Sequence, residues 1–243
     1  MRRYRCDFDV EKDSEFEIQG ELFKHIVVVC RNRVGERFEL LRDKFAYLSE
    51  LIQINKKTAL LKVIDQRRIP DLPKPYIHLV LANPKTSVLE SVLEKSVELG
   101  VKSIFLLTTE RSFFKSIDKI KLKEKRLEKI ISQALQQSNR HEELILEPAK
   151  SLSGFLDFFD GLKSKRGFIL YEKTSVLDRF KSREGKVEDV YLLVGAEGGF
   201  TADEADLAVS SGFEPFSLGH QILRVETACV AGVSILKSNL QIW

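Results

Sequence analysis

A glycine-rich segment in the last quarter of the chain has the residue types of a ligand-binding loop. It reads Gly195-Ala196-Glu197-Gly198-Gly199-Phe200 and follows an apolar run of strand length at 191–194. Its glycines allow the backbone to adopt positive φ and to approach a ligand closely. The next residues, Thr-Ala-Asp-Glu, form a capping-box pattern, and N–H groups of a helix beginning there would point back at the loop. We expect ligand binding here; the alternative is a purely structural strand-to-helix turn.

A second segment, residues 218–228, joins the last predicted strand to the last predicted helix. Arg224 and Glu226 stand two positions apart at the predicted helix start, so both side chains can point into a cleft. Glu226 can equally belong to the N-cap region, and packing explains much of the apolar sequence that follows. Neither this segment nor the glycine-rich one has the spacing of a dinucleotide-binding GxGxxG or of a P-loop.

Both segments belong to a part of the chain in which predicted strands and helices alternate. From residue 76 onward, short apolar runs are followed by amphipathic segments, which predicts parallel β/α units with helices on both faces of a sheet. Ligands of open α/β sheets bind outside the carboxyl ends of the strands. The two segments follow predicted strands, so we expect them at that edge.

The first 70 residues have a different pattern. Short runs of β-branched and aromatic residues separated by polar breaks predict a small β-barrel or sandwich, while residues 21–33 fit a helix or a strand. Three of the six prolines fall within residues 69–75, which predicts a semi-rigid linker. The predicted boundaries are a β domain at 1–70, a linker at 71–75 and an α/β domain at 76–243.

The composition is that of a folded protein: 243 residues, 43% hydrophobic and 31% charged, with a formal net charge of +3. No stretch reaches the roughly 18 apolar residues of a membrane helix, and no apolar core follows the basic N-terminus, so we expect neither a membrane span nor a secretory signal. Cys6, Cys30 and Cys229 form no CxxC pair, so we expect no metal site. Three cysteines without a signal favour a reduced, cytoplasmic compartment.

The two C-terminal segments together resemble the RsmE family. The pattern GAEGGF-T-x-x-E followed by LG-x-x-ILR-x-ETA is similar to that family's signature, with Ala196 where the family usually has proline and Val225 where it often has threonine. The resemblance covers nearly the whole chain. It includes His25, Arg31 and Gly35, the segment 94–101, and the segment 136–140, in which Gln136 replaces a frequent glutamate.

This resemblance implies a fold and an activity. RsmE enzymes are SPOUT-class methyltransferases with a C-terminal trefoil knot, in which S-adenosylmethionine binds and through which homodimers form, and with an N-terminal PUA-like RNA-binding barrel. They methylate N3 of a uridine in the 16S ribosomal RNA of the small subunit. By resemblance, the cofactor-binding residues are Val194, Gly195, Glu197, Gly198, Gly199, Leu218, Gly219, Ile222, Leu223, Arg224 and Ala228.

Uridine N3 carries a proton at neutral pH and becomes nucleophilic only when that proton leaves. Either a base removes the proton or a positive group stabilises the resulting anion. Arg224 is the candidate for holding the anion, and Glu226 and Glu197 are candidate bases. Each carboxylate can instead orient Arg224 or cap a helix.

Positive charge is concentrated at residues 102–140, which hold ten Lys or Arg and four Asp or Glu. Such a cluster can attract a phosphate backbone or can be a solvated helix face. The candidate RNA contacts across the chain are Arg2, Arg3, Arg5, Lys24, Arg31, Arg33, Arg111, Lys115 and Arg140.

Two other functions compete with uridine-N3 methylation. One is a non-catalytic ribosome-assembly factor that keeps the fold and binds RNA. The intact glycine segment and Arg224 argue against it, because a pure binder need not keep a cofactor pocket. The other is a SPOUT methyltransferase with a different RNA target, which the whole-chain resemblance disfavours.

Overall fold

A five-stranded sheet organises the N-terminal part of the chain in the computed structural model, which describes residues 1–114, 124–172 and 187–243. The strand order is β1-β3-β4-β5-β2; β1 runs parallel to β3 and the other pairs are antiparallel. The strands are β1 (Arg3–Arg5), β2 (Glu15–Gln19), β3 (Arg37–Arg42), β4 (Phe45–Ile54) and β5 (Thr58–Arg68).

Residues 21–33, which fit either a helix or a strand by sequence, are largely helical. Helix α1 (Gly20–Phe23) continues directly into a π-helix, Lys24–Val29. Phe23 and Ile26 are buried in the same cluster as the sheet residues, whereas the valines on the other side of the π-helix are exposed. Burial of one helical face therefore overrides the weak helix preference of the valine run.

A six-stranded, all-parallel sheet forms the rest of the structure, with strand order β11-β9-β10-β6-β7-β8. The strands are β6 (Tyr76–Ala82), β7 (Ser103–Thr108), β8 (Ile145–Ser151), β9 (Lys165–Leu170), β10 (Asp189–Val194) and β11 (Phe213–Phe216). The helices are α2 (Thr86–Glu98), α3 (Glu124–Ser138), α4 (Leu152–Asp160), α5 (Ala202–Ser210) and α6 (Val225–Leu240).

Helices cover both faces of this sheet. Tyr191 and Leu193 of β10 pack in a cluster with Phe155 of α4 and Ala205 of α5. Leu192 points to the opposite face of the sheet and lies against α6. Its side chain is 2.9 Å from the position that a Cβ on Gly232 of α6 would occupy. Strands buried on both faces explain the uninterrupted apolar runs of the sequence. The predicted parallel sheet with helices on both faces is confirmed.

The chain divides into two compact units. The N-terminal unit is Met1–Asp71 with Leu135–Glu142, and the C-terminal unit is Leu72–Ala134 with Glu143–Trp243. The end of α3 and the residues after it therefore belong with the N-terminal unit. The domain boundaries drawn from the sequence stay a prediction. Among the described residues, no helix is long and apolar enough to cross a membrane.

Candidate cofactor and substrate site

The two segments singled out by sequence line a single cleft of about 290 Å³ in the C-terminal unit. The two segments meet because β11 and β10 are both neighbours of β9. The carboxyl ends of the three parallel strands therefore lie side by side at one edge of the sheet. From the predicted cofactor set, the cleft is lined by Val194, Gly195, Glu197, Gly198, Gly199, Leu218, Gly219, Ile222, Leu223 and Ala228. Arg224, the remaining member, is not among the lining residues.

The turn that forms one wall of the cleft requires glycine at two positions. A Cβ on Gly195 would lie 2.8 Å from the Cα of Gly199, a backbone atom that cannot move aside cheaply. Gly199 itself has φ +68°, in the left-handed region, and its N–H donates to the carbonyl of Ala196 at 2.8 Å. Ala196, at the family's usual proline position, is buried and accepts this hydrogen bond of the turn.

Arg111, predicted as an RNA contact, anchors this glycine turn. Its guanidinium Nη1 donates to the carbonyl oxygens of Gly198, at 2.9 Å, and Phe200, at 3.4 Å. Its aliphatic stem lies against Gly198, where a Cβ would approach to 3.1 Å. At least one nitrogen of the Arg111 guanidinium therefore stabilises the shape of the turn.

The predicted capping box is present and does more than cap α5. The hydroxyl of Thr201 accepts from the N–H of Glu204 at 3.2 Å, and Oε2 of Glu204 accepts from the N–H of Thr201 at 3.0 Å. The second carboxylate oxygen, Oε1, accepts from the N–H of Glu110 at 2.7 Å. Glu204 thereby ties the loop after β7 to the helix that follows the glycine turn.

Glu197, one of the two candidate bases, lines the cleft and is exposed to solvent. Its Oε1 accepts a hydrogen bond from the N–H of Lys85, the residue that precedes α2, at 3.1 Å. The carboxylate therefore satisfies one of the backbone N–H groups at the N-terminus of α2. The side chain thus has a capping function that the sequence analysis allowed for.

Arg224 and Glu226 lie at the start of α6, as predicted. Arg224 is the N-cap residue and its side chain is exposed, while Glu226 is half-buried in the first turn. Within the described part of the chain, the guanidinium of Arg224 makes no hydrogen bond or ion pair. The charge of Glu226 adds to burial in raising the pKa of the Cys229 thiol. Arg224 therefore offers an accessible positive charge next to the cleft.

Glu172 is a cleft residue that the sequence analysis missed. It follows β9, and both of its carboxylate oxygens lie 3.8 Å from the position of a Cβ on Gly199. The available signal was its place just after an apolar run of strand length, at the carboxyl edge of the sheet. Together with Glu197, this carboxylate gives the cleft an attraction for a cationic ligand.

The predicted RNA contacts of the N-terminal unit fall into two groups. Arg2, Arg31 and Arg33 line one cavity together with Arg37, and Arg2 donates to the carbonyl of Cys30 at 2.6 Å and to Asn32 at 3.0 Å. Arg3 instead pairs with Glu39 at 2.9 Å. The structure thus brings three of the predicted residues together on one concave surface.

The other predicted contacts are scattered. Arg5 and Lys24 are exposed, whereas Arg140 is buried, and burial lowers the pKa of its guanidinium to about 10. Lys115 lies outside the described residues.

One cluster of three residues in the N-terminal unit has potential ligand atoms that lie close enough together to bind a metal ion. Atoms of Asp71, His141 and Glu142 lie within 4.8 Å of one another. Asp71, however, already pairs with Lys44 at 3.2 Å and Arg68 at 2.6 Å, and these cations hold the pKa of its carboxyl below the usual range. Their charges oppose binding of a further cation.

His78 lies at the amino end of the parallel sheet, away from the cleft. The side chain is buried, and its imidazole contacts Ser103 through Nδ1 at 2.7 Å and Asp189 through Nε2 at 2.9 Å. It stacks on Tyr191 with ring centroids 4.6 Å apart. Burial lowers the pKa of His78, against the opposing effect of Asp189. These hydrogen bonds join the amino-terminal ends of β6, β7 and β10.

The chain matches two protein families by sequence. Residues 70–237 match the RNA methyltransferase domain, and residues 18–64 match the RNA methyltransferase PUA domain. A ribosomal RNA small subunit methyltransferase E from Buchnera aphidicola subsp. Acyrthosiphon pisum is 26% identical over 239 residues, which cover 97% of this chain and 92% of that protein.

Solved structures agree with these matches. A Legionella pneumophila structure in complex with the cofactor SAM is 30% identical, with a TM-score of 0.79 and coverage of 97% of this chain and 96% of that one. The ribosomal RNA small subunit methyltransferase E of Neisseria gonorrhoeae, at 23% identity and a TM-score of 0.79, shares the fold over 98% of this chain and 97% of its own. The predicted SPOUT-type fold and the resemblance to RsmE are confirmed, and the chain belongs to the RNA methyltransferase family that its residues 70–237 match.

Proposed function

We propose that this protein transfers a methyl group from S-adenosylmethionine to N3 of a uridine in the 16S ribosomal RNA of the small subunit. The observation that carries the proposal is the convergence of the glycine turn and the 218–228 segment on one cleft at the carboxyl ends of β9, β10 and β11. A relative with the same fold was solved with SAM bound, and curated relatives bear the name ribosomal RNA small subunit methyltransferase E.

The residues of the cleft fit S-adenosylmethionine. Gly195 and Gly199 leave backbone exposed on one wall, where N–H and carbonyl groups can pair with an adenine edge. Leu218 and Leu223 offer apolar surface for the ring, and Glu172 offers a negative charge for the sulfonium. When bound, the cofactor supplies an electrophilic methyl group at that cationic sulfur.

The protein's own task in the chemistry is to hold uridine N3 in line with the methyl group and to favour its deprotonated form. Arg224, accessible at the N-terminus of α6, stabilises the uridine anion electrostatically. Glu226 and Glu197 are the candidate bases. Use of Glu197 requires the hydrogen bond from Lys85 to be kept by one oxygen while the other accepts the proton.

RNA binding is assigned to residues whose charges face solvent. Arg2, Arg31 and Arg33 surround a cavity of about 480 Å³ in the N-terminal unit, residues 1–70 of which form the proposed PUA-like RNA-binding domain. Guanidinium groups contact phosphates in fork geometry, so this concave surface fits an RNA backbone. Arg5 and Lys24 are exposed and add to this charge, Arg140 is buried, and Arg3 and Arg111, like Arg2, also make contacts within the fold.

We further propose that the enzyme acts as a homodimer in the cytoplasm, where its ribosomal substrate is found. Support for a dimer comes from apolar side chains left exposed near the cleft and at the chain end: Ile222 is 94% exposed and Trp243 70% exposed. A second copy packed on α6 would cover such surface. Light scattering on the purified protein tests the dimer, and a monomer at micromolar concentration would contradict it.

The function is tested with labelled S-adenosylmethionine and small ribosomal subunits, or their naked RNA, lacking the native methylation. Nucleoside mass spectrometry should find N3-methyluridine, and Arg224→Ala should remove it. Label at another position would contradict the uridine-N3 target. Absence of cofactor binding would contradict the methyltransferase function and leave a ribosome-assembly factor.

A further inference from the structure

Phe113 presents an aromatic ring to solvent on a loop whose backbone is held firmly. The side chain is 53% exposed, and it is not part of the hydrophobic cluster beneath the sheet. Its N–H donates to the carbonyl of Asn83 at 2.8 Å, and the buried Asn83 amide donates to the carbonyl of Phe114 at 3.2 Å. Asn83 therefore holds the backbone of the loop after β7, while the ring of Phe113 faces solvent.

This ring lies next to the glycine turn. The Nζ of Lys85 is 5.5 Å from the centre of the Phe113 ring, and the backbone N–H of the same lysine donates to Glu197 at the cleft. Two residues before Phe113, Arg111 binds the carbonyl of Gly198. Two neighbours of Phe113, Lys85 and Arg111, therefore bind residues that line the cleft in which the methyl donor is proposed to bind.

We propose that Phe113 is a stacking platform for an unpaired nucleobase of the RNA substrate, and that Lys85 neutralises an adjacent phosphate. This inference rests on the proposed function. Proteins that recognise single-stranded RNA stack its bases on aromatic side chains and track its backbone with cations. Phe113 and Lys85 supply both groups at the cleft rim.

The contact between Lys85 and the Phe113 ring is too weak to keep a base from stacking there. An exposed cation–π pair changes an equilibrium by only about two- to five-fold. Loss of a base–aromatic stack costs roughly 5- to 150-fold in affinity. A base that reaches the ring therefore displaces the lysine, whose ammonium group then faces the phosphates.

Stacking is tested directly by fluorescence. Trp243 is the single tryptophan of the chain, so Phe113→Trp in a Trp243→Phe background reports only on position 113. Oligouridine should quench this tryptophan, and an abasic ribose–phosphate oligomer of equal length should not. Equal quenching by both oligomers, or none, overturns the proposal whether or not the protein methylates RNA.

Kinetics give the second test. Phe113→Ala should raise the KM for RNA about ten-fold, within the 5- to 150-fold range of base–aromatic stacking, while the affinity for S-adenosylmethionine and the melting temperature stay unchanged. Phe113→Tyr should restore the KM. Ile145→Ala, which truncates a similarly exposed apolar side chain at the start of β8, is the matched control.

The outcomes separate this inference from the function on which it rests. If the wild type methylates RNA and Phe113→Ala has a wild-type KM, the stacking role is refuted and the function stands. If Phe113→Ala loses activity on assembled subunits alone and no quenching occurs, the ring contacts a protein and the proposal is equally refuted. If the wild-type protein transfers no methyl group, the proposed function is refuted. Quenching by oligouridine then tests the stacking role of Phe113 on its own.

Discussion

Gly195→Ala should damage cofactor binding through a contact that can be worked out from the backbone. The added Cβ would lie 2.8 Å from the Cα and 2.9 Å from the carbonyl carbon of Gly199, and 3.2 Å from the nitrogen of Phe200. Carbon atoms pack best at about 3.5–4.0 Å, so two backbone carbons would be roughly 0.6 Å or more too close. Because all three neighbours are backbone atoms, the turn itself must open.

The size of the effect follows from what overpacking costs. Forcing an extra carbon into a packed site typically costs about 1–3 kcal/mol. If the turn keeps its shape, that cost is a loss of folding stability. If the turn opens, the same strain must be restored when the ligand binds, and the affinity for S-adenosylmethionine falls by about 5- to 150-fold.

Calorimetric titration with S-adenosylmethionine and thermal unfolding together measure both parts of this cost. Gly161→Ala is the matched control, because Gly161 has φ −67° and its added Cβ would meet nothing closer than 3.6 Å. We expect the control to behave as wild type in both measurements. A Gly195→Ala protein that binds S-adenosylmethionine within two-fold of wild type and melts at the same temperature would refute the steric argument.

Three further predictions concern charged groups. Arg111→Lys should weaken S-adenosylmethionine binding roughly tenfold through loss of its carbonyl hydrogen bonds. A lower salt dependence of RNA affinity with unchanged cofactor affinity would instead make Arg111 a phosphate contact. Of Glu226→Gln and Glu197→Gln, the variant that removes the base should lower kcat at neutral pH by at least about 100-fold, and comparable small losses in both would exclude either as base. The free energy of unfolding should fall as the pH drops through about 6.5, because the folded state lowers the pKa of His78 and the unfolded chain takes up the proton first. Denaturant titrations should show a smaller fall in His78→Asn, and an identical pH profile would contradict this assignment.

The features that the sequence predicted correctly depend on local patterns or on general rules of sheets. The capping box of Thr201 and Glu204 is encoded within four residues, and the apolar runs of β6 and β10 report strands buried on both faces. The convergence of the two C-terminal segments follows from the rule that places ligands at the carboxyl ends of parallel strands.

The sequence could not identify the partners of residues whose contacts lie far away along the chain. Glu197 caps α2 through Lys85, 112 positions earlier, and Arg111 holds Gly198, 87 positions later. Composition gives the charge of such residues and not their partners, so the sequence predicts Arg111 as an RNA contact and gives no sign of its bond to Gly198. The burial of Arg140 is equally invisible, because a local excess of Lys and Arg favours a solvated or RNA-facing surface.

The cleft depends on more strands than those that line it. Strands β9, β10 and β11 supply its walls, while the loops after β6 and β7 hold the glycine turn from outside through Lys85, Arg111 and the N–H of Glu110. Asn83 in turn joins those two loops to each other. A turn fixed from several sides loses little entropy when a ligand binds, which is the advantage of preorganisation. Substitutions that break these contacts of the β6 and β7 loops with the glycine turn should therefore change cofactor affinity without contacting the cofactor, and those that also displace Phe113 should change the KM for RNA as well.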